Sequence, residues 1–152
     1  MKTVVFLVMI VIFMSGCATT NYLVQLPVQS EFVIAAPYES VRLAVMESIA
    51  DLGLPIEPVD KEGEALTTQV VTVPWEELVR IAEVPVIPDA IWYEGRYALE
   101  IFLSAIDEES TRIKITIDID GYEGNVTKKW YICFSRGVLE REIVGLIESK
   151  LK

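Results

Sequence analysis

The sequence predicts an α+β fold, an antiparallel sheet of four to five strands packed by two helices, and three observations carry that expectation. Tyr97, Leu99, Ile101 and Leu103 alternate with Ala98, Glu100, Phe102 and Ser104, and Ile113, Ile115, Ile117 and Ile119 alternate with Lys114, Thr116, Asp118 and Asp120. A period of two marks strands with one face buried. Segments 38–52 and 139–152 instead repeat apolar residues at three- and four-residue steps, the spacing of amphipathic helices. A chain of 152 residues, 52% of them hydrophobic, supports a single core without a metal or disulfides.

Taken in order, Phe32, Val33 and Ile34 predict a strand over 31–36, ended by Pro37, which cannot donate to a ladder but suits a first helical turn. The helix that follows lines up Val41, Ala44, Val45, Ser48, Ile49 and Leu52, sets Glu39, Arg42, Glu47 and Asp51 elsewhere, and stops at Gly53. Residues 56–60 read as a short extended segment, 61–64 as a turn and 65–73, rich in Thr and Val, as its return strand. Between 74 and 93 the periodicity breaks. Trp75 to Ile81 has room for two helical turns, but Pro85 and Pro88 limit what comes after, so the segment reads as an inserted loop.

The two alternating strands come next. For their Leu and Ile sets to share a face, paired residue numbers must sum to an even value. That allows a three-residue loop, 107–109 or 108–110, and excludes a two-residue one. Residues 121–125 read as another turn. Residues 126–134 have high β propensity without a clear period, and either a further strand or an irregular lead-in to the last helix fits them. In that helix Leu139, Ile143, Leu146, Ile147 and Leu151 form the apolar stripe, with Glu140, Arg141, Glu148 and Lys152 off it, Ser135 as the expected cap, and Lys150 and Lys152 favouring the C-terminal dipole. The predicted order is β-α-β-β-loop-β-β-α.

The first sixteen residues read as an address. Lys2 precedes an apolar run of eleven residues, 4–14. As a helix the run covers about 16 Å at ~1.5 Å per residue, against a bilayer core of about 30 Å. It matches the core of a secretory signal. Met14-Ser15-Gly16-Cys17 then resembles the lipobox of bacterial lipoproteins. That resemblance implies cleavage before Cys17, with diacylglycerol on its sulfur and an N-acyl chain on its new amino terminus. Acyl chains anchor without a spanning helix, and Ala18 in place of Asp after the Cys implies outer-membrane sorting. The expected organisation is a signal peptide at 1–16, a tether at 17–30 and a domain at 31–152.

Composition excludes much chemistry. The chain has 23 Asp+Glu against 13 Lys+Arg, a formal charge of −10, and no His. Phosphate-backbone recognition needs clustered cations, so nucleic acid is not an expected partner. Without imidazole there is no Ser/His or Cys/His pair and no His-bearing zinc site. With Cys17 thioether-linked, Cys133 has no partner for a disulfide and reads as a small buried hydrophobe in Tyr131-Ile132-Cys133-Phe134. Asp118, Asp120 and Glu123 lack the further ligands of a calcium loop, and Glu100 with Asp118 and Asp120 forms a carboxylate group with no electrophilic partner. No catalytic residue, metal or non-covalent cofactor is expected.

The succession of a strand, an Ala-containing helix ending Leu52-Gly53, Val59-Asp60, Gly63 before Leu66-Thr67-Thr68, Arg96-Tyr97 opening a hairpin, and a C-terminal amphipathic helix resembles the helix-grip domains of the C lipoprotein of the outer-membrane β-barrel assembly machinery. The likeness spans about residues 31–152. This chain departs from that family in having one such domain, a short tether and the 74–93 insertion. The resemblance implies a non-enzymatic accessory or scaffold in envelope assembly, facing the periplasm, with other envelope proteins as partners. Helix-grip domains also hold amphiphiles between helix and sheet, so a lipid or small-amphiphile binder is the alternative. Trp75, Val84, Val86, Ile87, Ile91, Trp92 and Tyr93 make the insertion unusually apolar. Either it folds over the second sheet face and completes the core, or Trp75, Ile91, Trp92 and Tyr93 contact a partner.

Overall fold

The computed structural model describes residues 30–57 and 65–152. The leader, Cys17, the tether through residue 29 and the segment 58–64, with its expected turn, lie outside them.

The fold is α+β, with an antiparallel sheet as expected, though the described residues form seven strands and three helices. Its axis is a long hairpin of β5 (Trp92–Ala105) and β6 (Thr111–Glu123). Leu99 faces Ile117, Ile101 faces Ile115 and Leu103 faces Ile113, which is the even-sum register. The Ile106 N–H donates to the Ser110 carbonyl at 2.9 Å, leaving 107–109 as the three-residue loop. At the opposite end β6 continues through Gly121, Tyr122 and Glu123, corrected from a turn, because β5 extends back to Trp92 and supplies them with partners.

Strands flank the hairpin on both sides. On β6, β1 (Ser30–Ile34) pairs along the first half and β7 (Lys129–Ser135) along the second, so the segment left open in the sequence is a strand from Lys129 onward. On β5, the expected 65–73 strand divides into β2 (Ala65–Thr67) and β3 (Val71–Pro74). The Thr68 side chain explains the break, since its Oγ1 accepts the Leu99 N–H at 3.0 Å and so takes a ladder position from the backbone. Ile56 forms an isolated antiparallel bridge with Thr68, the described remnant of the predicted 56–60 pairing.

Helices cover one face of the sheet. The apolar sides of α1 (Tyr38–Asp51) and α3 (Val138–Lys150) bury Val41, Val45, Ile49, Ile143 and Ile147 completely against Leu99, Ile101, Ile113 and Ile115. Their C-terminal ends meet where Lys150 Nζ reaches Asp51 at 2.6 Å. Two details of α3 differ from expectation. Gly137, at φ 70°, occupies the cap position, and Ser135 acts one step removed, accepting the Gly137 N–H and donating to Glu140. Glu140, expected on the polar side, is fully buried because the helix presents its first turn to β7.

The insertion is an ordered part of the domain and not a loop. It contains α2 (Trp75–Ile81) and β4 (Ala82–Glu83), and β4 pairs with the end of β7. Leu78, Ile81 and Ala82 are fully buried. The seat for α2 is a pair of glycines facing each other across the hairpin, Gly95 and Gly121. A Cβ on Gly95 would lie 2.7 Å from Leu78 Cδ1, and one on Gly121 would lie 3.0 Å from Leu78 Cδ2. The insertion therefore completes the core on the helix-bearing face, whereas the sequence placed any such packing on the second face. Arg80 locks it down by donating to Glu77 and to Glu142 of α3.

Candidate functional site

Two surfaces follow from this architecture: the end of the sheet where β5 begins and β6 stops, and the face that no helix covers among the described residues. The first is built on aromatic packing. Trp75 stacks on Trp92 with ring centroids 6.5 Å apart and planes 10° from parallel, and Trp92 meets the Tyr131 ring edge to face at 5.8 Å. Both tryptophans are half-buried against the rest of this cluster. Of the four contact residues expected from sequence, Trp75 and Trp92 thus form the support, while Ile91 and Tyr93 point outward.

Sequence reasoning missed what holds this end rigid. Glu123 is fully buried, and its carboxylate accepts the backbone N–H groups of Asn125, Val126, Thr127 and Lys128 together with the Thr127 hydroxyl. Burial alone pushes the Glu123 carboxyl up, but hydrogen bonds from the Thr127 side chain and from the Val126, Thr127 and Asn125 amides outweigh it. The group is held down at about 2. The carboxylate is a template for the 124–128 turn. Glu123 stands where a calcium-loop acid was considered, and it binds its own backbone instead.

Asn125 then ties the turn to the insertion. Its Nδ2 donates to the Asp89 carbonyl at 2.7 Å, its Oδ1 accepts the Ile91 N–H, and the Gly124 N–H donates to the Ile91 carbonyl at 3.0 Å. Tyr93 is the extra residue of a bulge between Trp92 and Glu94, which turns its ring out over Gly124. The result is a fixed tip with Val86, Ile91, Tyr93 and Val126 exposed, Val86 at 98%. The sequence signal available was Asn125-Val126-Thr127, which reads as a glycosylation sequon and carries no hint of a clip.

The uncovered face presents the other side of the same strands. Val33, Phe102, Trp130 and Ile132 are exposed there, Ile132 at 72%. The Arg96 guanidinium lies 4.3 Å from the Trp130 ring centroid and donates through Nε and Nη2 to Asp120 at 3.0 and 2.9 Å. Tyr122 leans on Trp130 at 5.3 Å. Beside this cluster, Val70, Arg96, Tyr97, Ala98, Asp118 and Asp120 line a shallow groove of about 320 Å³. Asp120 is thus engaged by an arginine, and among the described residues Glu100, Asp118 and Asp120 do not form a group placed to hold a metal ion.

Chemistry at the remaining candidates is restricted. Cys133 is buried with its Sγ against the Gly121 backbone, and burial, with a smaller push from Asp120, raises the thiol to about 12. A thiol held there is not a nucleophile near neutral pH. Among the described residues, no three Cys, Asp or Glu side chains are placed to hold a metal ion, and no helix is long and apolar enough to cross a membrane. Cys17 falls outside the described residues. No protein-family model and no curated protein matches the sequence.

Proposed function

We propose that this chain is an outer-membrane lipoprotein whose periplasmic domain acts without catalysis as an accessory or scaffold in envelope assembly. Cys17, carrying diacylglycerol and an N-acyl chain, is its anchor, and other envelope proteins are its partners. The observation that carries the reading is the one-sided sheet, whose helices, among the described residues, lie on one face only. The other face exposes Trp130 and Ile132 beside the Arg96–Asp120 pair near one end, and Phe102 and Val33 near the other. Exposed aromatic and aliphatic side chains set among polar ones on an uncovered sheet suit a protein contact. A carrier of a small amphiphile, the alternative, needs a hollow between helices and sheet. Val45, Ile49, Ile143 and Ile147 pack that space against the sheet, which counts against a carrier.

The test is co-purification from detergent-solubilised membranes of the native host, with quantitative mass spectrometry of proteins and lipids. The scaffold reading predicts a stoichiometric envelope protein that is lost on Ile132→Glu, a substitution at an exposed position. Recovery of stoichiometric lipid without protein, indifferent to Ile132→Glu, refutes it.

A further inference from the structure

The geometry points to a second membrane contact: the tip formed by Val86, Ile91, Tyr93 and Val126 seats on the phospholipid surface that holds the Cys17 anchor. The inference rests on the lipoprotein reading above and extends it from a tether to a defined orientation.

Three observations converge on a bilayer as the occupant. First, the chain enters the described domain from the side that carries the tip. β1 runs antiparallel to β6, with Ser30 beside Ile115 and Ile34 beside Thr111, so the chain enters β1 from the end at which β6 reaches Glu123. That end carries the tip, because Trp92 pairs with Glu123 and the Asn125 clip joins both segments. Second, the lengths agree. Eight residues of β6 separate the level of Ile115 from Glu123, which at ~3.4 Å per residue is about 27 Å. The thirteen residues 17–29 reach at most about 45 Å. An acyl chain on Cys17 and the tip can occupy one plane together.

Third, the chemistry is interfacial. Val86, Ile91 and Val126 are aliphatic side chains without a covering partner among the described residues, and Tyr93 adds an aromatic ring of the kind that settles at headgroup depth. Lys128 and Lys129 are exposed beside them, two adjacent cations in a chain of formal charge −10. Ammonium groups on long stems at the rim of an apolar patch meet lipid phosphates while the patch enters the acyl boundary. The Glu123 template and the Asn125 clip hold the tip before contact, so little ordering accompanies insertion. In this orientation the sheet stands upright on the membrane, and its uncovered face looks sideways into the periplasm, where a partner can reach it.

Depth measurement tests this directly. Protein extracted from native membranes carries a nitroxide at Val86→Cys, or at Ile106→Cys on the opposite hairpin end, and is reconstituted on phosphatidylcholine vesicles. Both positions are exposed, and the buried Cys133 stays unlabelled. The expected result is that the label at 86 becomes several-fold more accessible to oxygen than to an aqueous nickel chelate, while the label at 106 stays aqueous. A chain that floats with the vesicles while residue 86 is as aqueous as residue 106 overturns the tip contact, leaves the tether intact and marks the tip as a protein contact. A chain that leaves the vesicles and shows an unmodified Cys17 in its intact mass overturns the tether reading and this inference with it.

Discussion

Single side chains decide more of this domain than their polarity suggests. Glu123 ionises far below its ordinary value near 4.5, at about 2, because four amides and a hydroxyl point at it. A depressed folded-state pKa adds stability that is fully present above the unfolded value and is lost as pH falls through the folded one. Resistance to thermal unfolding is therefore expected to fall as the pH drops from about 4.5 to 2. Glu123→Gln, which cannot ionise, should flatten that slope, leaving a residual slope from Glu77, which Arg80 also holds low. An unchanged slope in the variant contradicts the template. Glu140 is the opposite case. Its Oε1 accepts the Ser135 hydroxyl, but Oε2 is buried with no partner among the described residues. Glu140→Met removes the orphaned oxygen at similar length and should raise stability by about 1–2 kcal/mol. A lower urea midpoint would mean that the Ser135 hydrogen bond to Oε1, lost in the same variant, outweighs the orphaned oxygen. Cys133 should resist thiol reagents in the native protein and react once in denaturant, whereas two reactive thiols there would mean that Cys17 carries no lipid.

At the scale of elements, the seat of α2 is the most exposed to test. Gly95→Ala puts a methyl within 2.7 Å of Leu78, and relieving that contact should cost about 1–3 kcal/mol and increase proteolysis across residues 82–91. Trp92→Ala removes the ring between Trp75 and Tyr131 and should cost about 2–4 kcal/mol. A variant as stable as the parent would show that the aromatic stack bears no weight. These elements also mark where the sequence stopped being legible. The long hairpin and both flanking helices follow from periodicity, because one buried face imposes a repeat of two or of 3.6 residues, and parity narrows the register to two, of which the structure takes Leu99 on Ile117. The insertion has no repeat to read. Its burial depends on Gly95 and Gly121 lying opposite each other 26 positions apart, a fact of register and not of composition. Glu123 and Asn125 were equally hidden, since an acidic residue and an amide beside a turn look like solvated surface until the backbone groups they bind are known.

For the whole molecule, the two surfaces divide the work by direction. The end bearing Val86 and Tyr93 faces the way the chain enters β1 at Ser30, and the face bearing Trp130 and Ile132 lies at right angles to it. On the proposed reading the tether fixes the compartment, the tip fixes the orientation, and the open face is left for a partner. All of this depends on the leader being removed and on lipid being added at Cys17. Intact mass spectrometry of the chain extracted from native membranes tests that dependence most directly. The account predicts a species beginning at residue 17 with the added mass of a diacylglycerol thioether and an N-acyl chain; a species beginning at Met1, or one with a free Cys17 thiol, contradicts it.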